Sequence, residues 1–221
     1  MPSSETQGDA APPGQRMDRR LSLGHPANDV GRANAPVTPD DSVLVLIDHD
    51  RGDIDDASLQ ALAFARACLP AAPVVAVIIG DAPAPAVTGA DSIRHVRHPE
   101  LSDYAPEAWG DALHQLAAEL QPQAVVATGT DRGNEVLAHV AAIADEPFAA
   151  NVVRAAPGSP WQIRRTRWGG SLLEDATMAS GLAIMSCALH AYSAPAADAA
   201  GAPVTEFAPQ LGPEAARTRV V

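Results

Sequence analysis

The chain has 221 residues, enough for one good-sized domain with tails, and its 27 acidic and 15 basic residues give a formal net charge of −12. Phosphate backbones would repel such a chain, which excludes a nucleic-acid binder. Two cysteines, Cys68 and Cys187, are too few for a disulfide framework or a zinc site, and both sit in apolar surroundings that suit buried small residues.

Residues 1–39 are rich in Pro, Gly, Ser, Asp and Ala and lack periodicity, so a disordered leader is expected. Their first fifteen residues have no apolar core and cannot be a signal peptide. No apolar run approaches a membrane span, and the expected setting is cytoplasmic, without membrane insertion.

Order is expected from Ser42. Val43-Leu-Val-Leu-Ile47 is a buried strand leading into the acidic run Asp48-His-Asp-Arg-Gly-Asp-Ile-Asp-Asp56. Leu59, Leu62, Ala63, Arg66 and Leu69 have helical spacing, which places a helix over 58–69 with Asp55 or Asp56 as cap. A second strand covers 74–79, and Pro83 and Pro85 argue against a long helix after it. A short strand is expected over 92–96 and an amphipathic helix over 109–120. Ala124-Val-Val-Ala127 is a further buried strand; Thr128 to Gly133 reads as a loop in which Asp131 or Thr130 can cap the next helix, and Val136, Leu137, Val140 and Ile143 mark that helix over 135–143. Residues 148–153 read as an irregular or strand-like link. Residues 161–168 alternate apolar and basic side chains as an antiparallel strand does, and 172–177 and 181–190 are the last expected strands. The alternation of strands and helices indicates a doubly wound, mostly parallel α/β domain over 42–194, Rossmann-like in character. Residues 195–221 read as a Pro/Ala/Gly-rich linker ending in the apolar start of a strand.

The chemistry-bearing patterns are sparse. Strand, Gly-containing loop and helix place Gly129, Thr130, Asp131, Gly133 and Asn134 at a strand's carboxyl end, where open α/β sheets bind ligands and helix N–H groups hold anions. The first strand lacks a Gly-x-Gly-x-x-Gly and is followed by carboxylates, which disfavours a dinucleotide there. As an EF-hand, the loop from Asp48 fails: Gly52 is fifth rather than sixth, and Leu59 replaces the twelfth-position Glu. No Gly-x-Ser-x-Gly elbow and no nucleophile–base–orienter set is present, so neither a catalytic residue nor a metal ligand is assigned.

Three segments carry a family resemblance. They are Val43-Leu-Val-Leu-Ile-Asp-His-Asp-Arg-Gly with the helix from Ala57 to Arg66, Ala127-Thr-Gly-Thr-Asp-Arg-Gly-Asn continuing to Ile143, and Arg164-Arg-Thr-Arg-Trp-Gly-Gly-Ser. In this order and spacing, over about 155 residues, the chain resembles the N-terminal domain of the electron-transfer flavoprotein alpha subunit. The third segment is similar to the family's Arg-x-x-Tyr-x-Gly run. His139 stands where the family often has Arg, and Ala150-Asn151 replaces a frequent Ser-Asp pair. The resemblance implies an adenine-nucleotide alpha hydrolase-like fold, a beta-subunit-like partner, a dehydrogenase as electron donor and FAD in the assembled complex, with AMP possible on the partner. The family's second domain, which grips the FAD, finds no counterpart here: Arg219-Val-Val stands where its first strand would begin, so a separate FAD domain is a further expected partner. Arg164, Arg167 and Trp168, with Trp161, Ile163, Leu172 and Leu173, form the expected docking set. Three readings compete: a scaffold component of a flavin-dependent electron carrier, a stand-alone AMP- or ATP-binding module built on residues 129–134, and a hydrolase using Asp48 and His49.

Overall fold

The computed structural model describes residues 41–84, 86–195 and 201–220; the expected leader lies outside them. The first strand, β1 (Val43–Leu46), is buried at every position. Two short strands, β2 (His49–Asp50) and β3 (Asp53–Ile54), form a small separate hairpin, and α1 (Asp56–Cys68) follows. Next come β4 (Val74–Ile79), β5 (Ser92–Val96), α2 (Pro106–Leu120), β6 (Ala124–Thr128) and α3 (Asp131–Ala144). The last strands are β7 (Phe148–Ala156), β8 (Trp161–Arg167), β9 (Leu172–Met178), β10 (Ala183–Cys187) and β11 (Val204–Phe207).

Nine strands make one sheet in the order β11-β5-β4-β1-β6-β10-β7-β8-β9. All pairings from β11 to β7 are parallel; β7–β8 and β8–β9 are antiparallel. The fold is α/β with a mostly parallel sheet, as expected. Alternation along β1 divides the core. Val43, Val45 and Ile47 pack with Ala61, Leu62, Phe64 and Ala65 of α1, while Leu44 and Leu46 pack with Leu113 and Leu116 of α2 and Val136, Leu137 and Val140 of α3. Each large side chain fully buried in this way contributes about 1.5–3 kcal/mol.

Caps explain the helix limits. Asp55 accepts the Ala57 N–H at 2.9 Å and starts α1. Helix α2 begins three residues before the expected start, because Pro106 stands at the first helical position, where a missing N–H costs nothing. Helix α3 begins four residues early: Thr130 Oγ1 accepts the Gly133 N–H at 3.0 Å, so Asp131, Gly133 and Asn134 belong to the helix rather than to the loop before it.

Two other stretches differ from expectation. Strand β7 runs to Ala156 because it serves two neighbours, β10 in parallel and β8 antiparallel. The stretch expected as a linker contains β11, with Val204 opposite Ile93 and Phe207 opposite Val96. Beyond it, Gln115 and Gln210 exchange two hydrogen bonds, at 2.8 and 2.9 Å, and Phe207, Leu211 and Ala216 pack on the α2 side of the core. Pro203 and Pro209 bracket this strand and produce the linker-like composition, yet four extended residues between them suffice for an edge strand. Residues 196–200 of that stretch lie outside the described residues.

Gly133 fixes the approach of α3 to β6. A Cβ there would stand 2.1 Å from the Thr128 carbonyl oxygen. Gly133→Ala is therefore expected to cost at least about 2 kcal/mol, as overpacking against backbone does. A urea-unfolding midpoint unchanged from wild type would contradict this packing.

Candidate functional site

The strands leave β1 in opposite directions through β4 and β6, which sets a switch point at the carboxyl edge of the parallel strands. The loop after β6 lies there. Gly129 donates its N–H to the Cys187 carbonyl at 2.8 Å, and a Cβ on it would meet both that oxygen and Asn151 Oδ1 at 2.8 Å. Thr130 is spent on its helix cap, Asp131 is exposed at the start of α3, and Gly133 is buried against β6. Asn134 Oδ1 accepts the Ser186 hydroxyl at 2.7 Å, and Ser186 Oγ accepts the Asn151 N–H at 3.0 Å. Thr128 Oγ1 ties the same loop to α1 by donating to the Ala57 carbonyl at 2.8 Å. Ser186 was not assigned to a site from the sequence, its one signal being a hydroxyl inside the apolar strand Ala-Ile-Met-Ser-Cys, and Asn151 stood out there only as half of the Ala150-Asn151 pair.

A second feature forms on the β4 side. His49 is buried, with Nε2 2.9 Å from the Ile79 carbonyl, and its Nδ1 accepts the Gly52 N–H at 3.2 Å. One neutral tautomer, protonated on Nε2, serves both contacts, so both ring nitrogens are engaged. Asp48 sits 3.4 Å from Arg132; burial pushes its carboxyl above the usual range, while the guanidinium acts in the opposite direction. Arg132 lies over the Tyr104 ring at 4.7 Å, and Tyr104 donates to Glu135 at 2.8 Å. Burial and that carboxylate push the Tyr104 hydroxyl upward. His49, Arg132 and Tyr104 border a crevice of about 500 Å³ that Asp50, Asp81, Asp103 and Trp109 also line. Among the described residues, no group of three or more His, Cys, Asp or Glu side chains is placed to hold a metal ion.

The expected docking set divides. Trp161 and Ile163 are buried in the chain's own core, with Arg165 half-buried on the same face, as strand alternation requires. Trp168 is 82% exposed at the hairpin tip, in the left-handed region at φ 53°, next to Gly169 and Gly170. Leu172 and Leu173 are exposed beside it. Arg164 grips Asp175 across the strands through two bonds, at 2.6 and 2.8 Å, and holds that carboxyl below its usual range. Arg165 and Arg167 share Glu174, at 2.6 and 3.8 Å. Arg167 and Trp168 line a groove of about 780 Å³ with Asn151, Leu189 and His190. Asn151 thereby joins the two expected sets: it crowds Gly129 on one side and borders Arg167 and Trp168 on the other. Arg164 stays apart, on the exposed face of β8.

Burial pushes the Cys187 thiol up to about 11, and Cys68 Sγ accepts the Ala155 N–H at 3.3 Å. Neither thiol is expected to react with iodoacetamide at neutral pH until the protein is denatured. Rapid labelling of the native chain would show that one of them is a reactive group.

A comparison with curated proteins gives no match. The model of the electron transfer flavoprotein domain matches residues 43–211, from the first residue of β1 to beyond β11. Members of this family generally bind flavin and work with partner subunits and dehydrogenases. Among the described residues, no helix is long and apolar enough to cross a membrane. With this match running through every strand of the sheet, the chain belongs to the electron transfer flavoprotein domain family.

Proposed function

We propose that this chain is an alpha-subunit-like scaffold of a flavin-dependent electron carrier, working in the cytoplasm. The observation that carries the reading is the family match over 43–211, joined to a carboxyl-edge loop whose polar groups are taken up by the chain itself. In this reading the hairpin residues Arg164, Arg167 and Trp168 receive a beta-subunit-like partner. FAD sits in the assembled complex, with a separate FAD domain as a further component, and a dehydrogenase supplies the electrons. AMP on the partner is no part of the reading.

The competing reading, an AMP- or ATP-binding module on Gly129, Thr130, Asp131, Gly133 and Asn134, has the switch-point position in its favour. Against it stand the filled space at Gly129, the engaged Thr130 and Asn134 side chains, and the Asp131 carboxylate where an anion would lie.

Co-expression with a beta-like subunit and a separately encoded FAD domain from neighbouring reading frames tests the proposal. The complex is expected to show flavin absorbance near stoichiometric amounts, and the isolated chain none. Charge reversal by Arg164→Glu with Arg167→Glu, both exposed, is expected to leave the melting curve in place and weaken partner capture at least about tenfold. Stoichiometric flavin on the isolated chain, or capture unchanged by the reversal, would overturn it.

A further inference from the structure

The two ends of the sheet are protected to different degrees. At one end β11 has four residues and is bracketed by Pro203 and Pro209, two devices that keep foreign strands away. At the other end β9 has seven residues, all in continuous register with β8, and contains no Pro, no bulge and no Lys. It ends the sheet, so among the described residues no strand lies on the other side of its backbone. Its two carboxylates would ordinarily guard such an edge. Here they are neutralised by the chain's own arginines: Asp175 by the two-bonded Arg164, and Glu174 by Arg165. Trp168, Leu172 and Leu173 are also three of the seven exposed large apolar side chains among the described residues, with Leu172 at 55% and Leu173 at 65% exposure. An open edge with its charges cancelled and apolar residues gathered at one end is a template for strand addition.

We infer that the β9 edge pairs with β9 of a second copy of this chain, antiparallel across a two-fold axis, joining two sheets into one. The strand is complementary to itself in this arrangement. Pairing all seven residues about Asp175 sets Leu172 opposite Met178 of the other copy, Leu173 opposite Thr177, and Glu174 opposite Ala176. The two Asp175 carboxylates meet at the axis, and each brings its own Arg164, so two ion pairs rather than two bare charges face each other. Leu172 and Leu173 are thereby set beside the far end of the other strand. This inference does not rest on the electron-transfer reading. A partner that occupies the hairpin would displace the second copy.

Sedimentation of the isolated full-length chain tests it, with two variants. Wild type is expected to pass from monomer to dimer with a dissociation constant on the order of micromolar. Leu173→Lys, at an exposed position, is expected to keep the melting curve and weaken the dimer at least about tenfold. Leu173→Cys combined with Thr177→Cys is expected to form a covalent dimer on mild oxidation. These positions face each other across the two-fold pair but are four residues apart on one extended strand, beyond the reach of an internal disulfide. Either single cysteine variant is expected to cross-link far less. A wild-type chain that stays monomeric, a dimer indifferent to Leu173→Lys, or a double-cysteine variant that does not cross-link would each overturn the inference. None of these results bears on flavin absorbance or capture by a beta-like subunit, so the electron-transfer reading is tested separately.

Discussion

A parallel strand buried on both faces must be covered by helices on both sides, and β1 imposes that requirement on the whole domain. No position of β1 reaches solvent, so its alternation creates two apolar faces rather than one apolar and one polar. Helix α1 answers one face; α2 and α3 answer the other. Each crossover returns the chain to the same edge, which gathers the acidic loop after β1, Gly80 after β4 and the loop after β6 at one end of the sheet. The constraint ends at β7. From there the chain turns antiparallel, needs no crossover helix, and extends the sheet as a hairpin. Trp161, Ile163 and Met178 carry the core partway under that hairpin, and beyond them its tip and outer edge have no cover among the described residues.

The closed and open halves of the sheet divide the work. At the carboxyl edge, polar groups are consumed internally. Ser186 donates a hydrogen bond to Asn134 and accepts one from the Asn151 N–H, and Thr130 and Thr128 bind backbone. In that loop the buried polar side chains already have their partners. The hairpin is the reverse case. Its arginines form exposed ion pairs that add little to stability, which leaves them available to exchange partners. Asn151, Trp168 and His190, all in the left-handed region without being glycines, line one groove beside it. Backbone held in that region costs free energy and tends to gather where the fold serves a purpose beyond its own packing.

Apolar patterning made most of this legible in the chain itself. Val43-Leu-Val-Leu-Ile and Val74-Val-Ala-Val-Ile-Ile announce buried parallel strands, and the spacing of Leu59, Leu62 and Leu69 announces α1. Of the two cap candidates before α3, Thr130 holds the cap; the first turn itself was concealed because Asp131, Gly133 and Asn134 are poor helix formers in isolation, a preference that the cap and close packing on β6 override. Strand β11 was concealed by its flanking prolines. The site was less legible than the fold. Asn134 and Ser186 are 52 residues apart, and Arg164 meets Asp175 only through the β8–β9 register. The alternation of Trp161, Ile163 and Arg165 did give the correct faces, but it could not say that the core reaches Trp161 and Ile163 and stops short of Trp168.

The central claim is that this domain acts through its open hairpin rather than through the closed loop at its carboxyl edge. Hydrogen exchange measured on the chain in dilute solution, with and without a beta-like subunit, tests this most directly. Protection is expected to appear over β8 and β9 and around Trp168, with residues 129–134 and the loop after β1 unchanged. Protection confined to those two loops, with the hairpin exchanging as in the free chain, would contradict it.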